Sequence, residues 1–149
     1  MDSRVILENA INELGKILTE IRRASFYETE PVHKTDQPNF LNTAAAGNFM
    51  GSPEELLVLI NNIEKRFGRS RPNEVRWGER SLDIDILLFN NRIITTPNLV
   101  IPHQRLEERR FALEPLLELW PGACSPVTGI SYRQACNKLP GQGVNRLPE

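Results

Sequence analysis

Hydrophobic residues recur at two different periods along the chain. Over Arg4–Leu18, Leu7, Ile11, Leu14 and Leu18 stand at helical spacing, with Asp2 or Ser3 available as the N-cap. Ile21–Thr29 and Phe40–Phe49 read as strands, the second built of small residues, and Glu30–Asn39, with Pro31 and Pro38, reads as the loop between them. Ser52-Pro53-Glu54-Glu55 is a helix start, with Ser as cap, Pro at the first helical position and Glu three residues after the cap. That helix runs to about Phe67, buries Leu56, Leu59, Ile60, Ile63 and Phe67, and ends at Gly68. Over Leu82–Phe89 the period changes to two: Leu82, Ile84 and Ile86 fall on one face of a strand, Asp83 and Asp85 on the other. Asn90-Asn91 reads as a turn into a short partner strand at Ile93-Ile94. Ile101-Pro102-His103 is extended, and Leu106–Trp120 is helical, with Pro115 either splitting it or opening a second helix. Ser131–Leu139 is a last short helix, started by a capping box of Ser131 and Gln134, and the tail beyond Pro140 is expected to be loose.

The predicted order is helix, strand, strand, helix, strand and a helical C-terminal extension, which is an α+β chain without internal repeats. One strand placed in front would make it β-α-β-β-α-β, the ferredoxin-like arrangement. A length of 149 residues fits one domain over 1–149, with a core of about 2–120 and an extension of about 121–149.

The alternating stretch carries the candidate chemistry. Asp83 and Asp85 point the same way, roughly 7 Å apart, and two like charges in front of apolar residues are costly unless a positive partner answers them. Arg69, Arg71, Arg76 and Arg80 lie just before. Guanidinium groups and paired carboxylates meeting at one place suit a polyanion held jointly by arginines and by metal ions on the carboxylates. The competing reading is an exposed ion-pair network on a solvated strand.

Composition narrows the partners. The formal net charge is −1, so the arginine cluster is local and lacks the broad basic footprint of nucleic-acid binding. Cys124 and Cys136 show neither metal-ligand spacing nor a disulfide framework, which fits a reducing cytoplasm. No apolar run approaches membrane-spanning length. No Gly-x-x-x-x-Gly-Lys-Ser/Thr loop is present, so a triphosphate would have to be cradled by other means.

Arg76-Trp77-Gly78-Glu79-Arg80-Ser81-Leu82-Asp83-Ile84-Asp85-Ile86 resembles the signature of the 6-hydroxymethyl-7,8-dihydropterin pyrophosphokinases of folate biosynthesis. Ser25-Phe26-Tyr27-Glu28-Thr29, Gln37–Asn42, Ile63-Glu64, Gly68-Arg69, Ile101–His103 and Arg109–Phe111 stand in the same family order, so the resemblance covers roughly Asp2 to Leu119. It implies transfer of the terminal diphosphate of ATP to the hydroxymethyl oxygen of the pterin, with release of AMP. Asp83 and Asp85 would hold two Mg²⁺, and with Arg69 and Arg80 they would be the catalytic set. Glu64, Arg69, Arg71, Arg80, Ile86, His103 and Arg109 would contact ATP. Thr29, Val32, Phe40, Asn42, Trp77 and Phe111 would bind the pterin, with Phe40 and Phe111 sandwiching its ring and Asn42 reading its edge. The Arg69–Asn73 stretch would close as a lid over the phosphates. Taken singly, Phe40 and Phe111 read as core and His103 as a turn cap.

The family begins with a strand followed by Gly-Ser-Asn-Leu-Gly-Asp, of which Asp2 and Ser3 stand here, so the resemblance implies that the first strand is missing. Three explanations stay open: a true start further upstream, a strand lent by another chain, or an impaired protein. A monomer is expected unless a strand is supplied in trans. The rival from another class is a non-catalytic pterin or nucleotide binder that lost turnover with its first strand. A ferredoxin-like RNA-binding domain is more distant, because two aspartates on the sheet face repel phosphate. Metal dependence of turnover separates the three.

Overall fold

The structure, a computed structural model, describes residues 2–30, 40–67, 82–141 and 143–149. Among them the elements run α1 (Ser3–Leu14), β1 (Thr19–Arg23), β2 (Tyr27–Thr29), β3 (Phe40–Asn42), β4 (Ala45–Asn48), α2 (Pro53–Arg66), β5 (Ile94–Thr95), β6 (Val100–Ile101), a 3₁₀ turn (Leu106–Glu108), α3 (Arg110–Leu119), α4 (Tyr132–Lys138) and β7 (Val144–Arg146). Helices and antiparallel strands make this an α+β protein, as the pattern predicts. The chain forms two compact units, Met1–Ile21 with Gly47–Ile86, and Arg22–Ala46 with Leu87–Glu149. β1 pairs with β4, and the boundary between the units falls within both strands.

In the first unit α1 opens with Asp2 as N-cap, its side chain accepting the Arg4 amide at 3.0 Å. The helix stops at Gly15, three residues short of the expected end, where glycine is a poor helix former. The Leu14 carbonyl then takes the amides of Ile17 and Leu18 in a closing turn. Ile6, Ala10 and Leu14 form the buried face, one ladder of i, i+4 neighbours, while Leu7 and Ile11 lie at its margin.

α2 begins with the predicted capping box: Ser52 Oγ accepts the Glu55 amide at 3.1 Å and Glu55 Oε1 accepts the Ser52 amide at 2.7 Å. It buries Pro53, Leu56, Ile60, Ile63 and Glu64. A carboxylate on that apolar face is the irregular feature, since a buried charge needs partners. α1 packs on α2, and an exposed ion pair between Glu13 and Arg66 at 2.7 Å adds little to that contact.

The second unit holds the three-stranded antiparallel sheet β3-β2-β7, with Thr29 opposite both Phe40 and Val144, and Tyr27 opposite both Asn42 and Arg146. α3 packs on β2 and β3 through one face and on α4 through the other. Leu106, Leu113, Leu117, Tyr132 and Cys136 form the apolar core between the 3₁₀ turn, α3 and α4. Each such buried side chain contributes about 1.5–3 kcal/mol.

Several expectations are corrected here. The strand Ile21–Thr29 divides into β1 and β2, and Phe40–Phe49 divides into β3 and β4. The two breaks face each other: Ala24 donates its amide to the Ala44 carbonyl, and the Thr43 hydroxyl reaches the Ala24 and Ser25 carbonyls at 3.0 and 2.9 Å. A side chain therefore takes the place of ladder bonds. Residues 82–86 keep the alternation of burial, but among the described residues the segment 82–89 has no strand assignment, and the Ile84 amide goes to a side chain. β5 pairs with β6 and not with that segment. The helix break falls at Arg109 and not at Pro115, which sits inside α3 and is fully buried.

The tail is not loose. Its strand β7 pairs with β2, and Leu147 donates its amide to the Phe26 carbonyl at 2.8 Å. Backbone pairing with little apolar pattern leaves no sequence signal of the usual kind. Arg110 is half-buried; it pairs with Glu114 at 2.7 Å and donates to the Cys136 and Leu139 carbonyls at the end of α4. Arg105 and Glu108 form an exposed pair at 3.6 Å.

Candidate functional site

In the first unit the candidate residues that gather are Glu64, Asp83, Asp85 and Ile86. Leu82 is buried and Ile84 and Ile86 are half-buried, while Asp83 and Asp85 are exposed, so the period of two turns both carboxylates outward. Between them the Ile84 amide donates to Glu64 Oε2 at 2.7 Å, and Glu64 is 4% exposed. A buried carboxylate thus grips the backbone at the midpoint of Asp83-Ile84-Asp85. Charge-assisted bonds of this length are about twice as strong as neutral ones. The result is a fixed plate with two oxygen-donor side chains facing solvent.

Those donors suit a hard cation such as Mg²⁺, which is commonly held by one or two protein carboxylates and completes its shell with water and substrate phosphates. Among the described residues no group of three His, Cys, Asp or Glu side chains gathers as a closed cage. Arg69, Arg71, Trp77 and Arg80, as well as Val32, lie outside the described residues.

The second unit carries the other candidates. Thr29 is buried on β2, and Asn42 on β3 donates from its amide nitrogen to Thr29 Oγ1 at 3.4 Å. Phe40 lies two residues before Asn42, hence on the same face of β3, and is 56% exposed. That exposure disagrees with a core role. Phe111 stands in the first turn of α3, half-buried, with the Arg109 guanidinium 5.5 Å from its ring centre. His103 Nδ1 accepts the Arg105 amide at 3.2 Å, and the His103 amide donates to the Leu87 carbonyl at 2.9 Å. The turn-cap reading of His103 therefore agrees with this contact.

One residue escaped the sequence reading. Glu118, near the end of α3, accepts the Ser25 amide at 3.1 and 3.0 Å, the Ser25 hydroxyl at 3.1 Å and the Tyr27 hydroxyl at 2.8 Å. Arg146 of β7 reaches it at 3.6 Å and donates to Ser25 Oγ at 3.0 Å. Burial raises the affinity of Glu118 for its proton, but the bonds from Tyr27 and Ser25 and the charge of Arg146 together hold the carboxyl below its ordinary range. Burial, and then the bond to Glu118, push the Tyr27 hydroxyl up to about 12. The only sequence signal was position: Glu118 lies seven residues after Phe111, on the same helix face.

The fold and these sites define an α+β protein with paired, outward-facing carboxylates in one unit and a polar and aromatic sheet face in the other. Comparison with known proteins makes this specific. A family model described as 7,8-dihydro-6-hydroxymethylpterin-pyrophosphokinase (HPPK) matches residues 1–121, and the chain belongs to that family. It is 48% identical over 102 residues to a 2-amino-4-hydroxy-6-hydroxymethyldihydropteridine pyrophosphokinase of Bacillus subtilis, covering 68% of this chain and 60% of that protein. A protein of the same description from Methylorubrum extorquens is 35% identical over 148 residues, 98% of this chain and 91% of that one. A "Folate synthesis bifunctional protein" of Arabidopsis thaliana is 49% identical over 98 residues, 66% of this chain but 20% of that protein. The chain thus spans about a fifth of the plant protein's length and somewhat under two thirds of the Bacillus protein's.

Proposed function

We propose that the chain is an ATP-dependent pyrophosphokinase of folate biosynthesis, which transfers the terminal diphosphate of ATP to the hydroxymethyl oxygen of 6-hydroxymethyl-7,8-dihydropterin and releases AMP. The observation that carries this reading is the Glu64 carboxylate locked on the Ile84 amide, with Asp83 and Asp85 exposed on either side. Family membership supports it independently.

Asp83 and Asp85 would hold two Mg²⁺, which when bound would supply positive charge against the phosphates during transfer. Glu64 acts from below, by fixing the backbone that carries the two aspartates. By the family resemblance, His103, Arg109 and Ile86 are nucleotide-contacting residues. By the family resemblance, Arg69, Arg71 and Arg80 supply positive charge to the phosphates. Phe40 and Phe111 stack on the pterin ring and Asn42 reads its edge with its amide oriented by Thr29, while Val32 and Trp77 are pterin-binding by the family resemblance alone. The arrangement we favour is a single domain over 1–149 with a ferredoxin-like antiparallel sheet and helices on one face, working as a cytoplasmic monomer. No helix among the described residues is long and apolar enough to cross a membrane.

The test is AMP formation from ATP, Mg²⁺ and 6-hydroxymethyl-7,8-dihydropterin, by the chain and by Asp83→Ala and Asp85→Ala. Turnover by the chain that drops at least about a hundredfold in each variant supports the reading, in line with losing a charge-stabilising group. A folded chain that binds both substrates without making AMP would leave the non-catalytic binder in its place.

A further inference from the structure

Glu118 and Arg146 lie outside the residues that would touch either substrate, yet they join three elements around the pterin face. The register puts Asn42, Tyr27 and Arg146 in one row across β3-β2-β7, and Phe40, Thr29 and Val144 in the next row on the same face. α3 lies against β2 and β3. Its Leu113 and Leu117 turn to the α4 core, whereas Phe111 and Glu118 share the opposite side, two turns apart, or roughly 10 Å along the axis. Glu118 is thus bound to β2 and its approach at one end of the helix, and Phe111 hangs from the other end. Fixing one end of a short helix on a sheet sets where the other end lies above it.

We infer that Glu118 is the positioning residue of the pterin site, holding Phe111 at its working distance from Phe40, Thr29 and Asn42, and that Arg146 of β7 completes this clamp. The inference rests on the pterin-stacking reading given above. Ser25 supplies the hinge point, its amide and hydroxyl both donating to Glu118. Arg146 closes the ring by donating to the same Ser25 hydroxyl while pairing with Glu118. The C-terminal strand therefore contributes to substrate recognition through the clamp, with no substrate contact of its own. It also lies beyond the 1–121 span that the family model matches, so chains sharing that span can differ in how firmly the clamp is closed.

The experiment measures the dissociation constants of 6-hydroxymethyl-7,8-dihydropterin, by fluorescence titration with a non-hydrolysable MgATP analogue present, and of the analogue alone. The proteins are the full chain, Glu118→Gln, Arg146→Ala and Arg146→Lys, each with its melting temperature. Glu118→Gln is expected to weaken pterin binding about tenfold, while the analogue's affinity stays within about twofold. Arg146→Ala is expected to weaken the pterin about threefold, with Arg146→Lys recovering most of the loss. Arg146 is largely exposed at its side chain, so its variants remain folded and decide the matter if Glu118→Gln does not fold. Pterin affinities within about twofold of the parent chain in the folded variants would overturn the inference, as would equal loss for pterin and analogue. A parent chain that binds no pterin would overturn the stacking reading and this inference with it.

Discussion

Glu64 Oε2 accepts the Ile84 amide at 2.7 Å from a side chain that is nearly inaccessible to solvent. The bond ties α2 to the midpoint of the acidic pair and explains why a carboxylate occupies the helix's buried face. Its removal separates the roles of charge and acceptor. Glu64→Ala leaves a buried amide without that partner and is expected to cost about 1–3 kcal/mol. In a chain of this size that lowers the melting temperature by about 2–4 °C per kcal/mol. Glu64→Gln keeps an acceptor oxygen and should retain most of the stability. Thermal melts of both variants, beside AMP formation at saturating MgATP, check this; equal melts for Glu64→Ala and the parent would contradict it.

Phe40 offers a second separation. At 56% exposed it contributes little to folding, so Phe40→Ala should change stability by less than about 0.5 kcal/mol. If it stacks on the pterin, the same change should weaken pterin binding about tenfold, the scale of an aromatic pair of about 0.5–1.5 kcal/mol together with lost apolar burial. A core residue would show the reverse, a large loss of stability with pterin binding intact. Denaturant titration and pterin titration on one preparation decide between them.

Metal removal should abolish turnover and leave the fold intact. Asp83 and Asp85 are exposed, and an ion that they share with the nucleotide, as proposed above, would not staple the chain. EDTA treatment is expected to stop AMP formation, shift the melting temperature by less than about 2 °C, and be reversed by added Mg²⁺. A collapse of the melting curve on chelation would instead indicate a structural metal.

The Tyr27–Glu118 pair makes stability depend on pH at both extremes. Tyr27 has its folded-state pKa raised from 10.0 to about 12, so its contribution is complete below pH 10 and is lost as pH rises through 12. Glu118 is lowered, so its contribution is present above the ordinary carboxylate range and is lost as pH falls through its depressed value. Melting temperatures of the parent chain and Tyr27→Phe across pH 9–12 should converge as pH rises, because the variant lacks the group that titrates. Parallel curves across that window would contradict the assignment.

How much of this was legible beforehand depends on the kind of signal. The helix starts at Asp2, Ser52 and Ser131 were readable because a cap is a local side-chain-to-amide bond. The outward pair Asp83 and Asp85 was readable from a period of two, even though the segment forms no ladder among the described residues. The family resemblance supplied the pterin set, and exposure of Phe40 now separates it from core. Strand β7, the partner of β5, the paired breaks at Ala24 and Thr43, and the docking of Arg110 on α4 were not legible. Each depends on backbone or side-chain partners far away in sequence, which no local pattern encodes. Glu118 is the sharpest case: its partners Ser25 and Tyr27 lie more than 90 positions upstream.

The most direct measurement is the identity and ratio of the products formed from ATP, Mg²⁺ and 6-hydroxymethyl-7,8-dihydropterin. Phosphorus NMR and mass spectrometry of one reaction mixture distinguish transfer of a diphosphate from transfer of a single phosphate or from hydrolysis. The account predicts AMP and the pterin diphosphate ester in equal amounts, with neither appearing in Asp83→Ala. ADP with a pterin monophosphate, or AMP with free pyrophosphate and unchanged pterin, would contradict it.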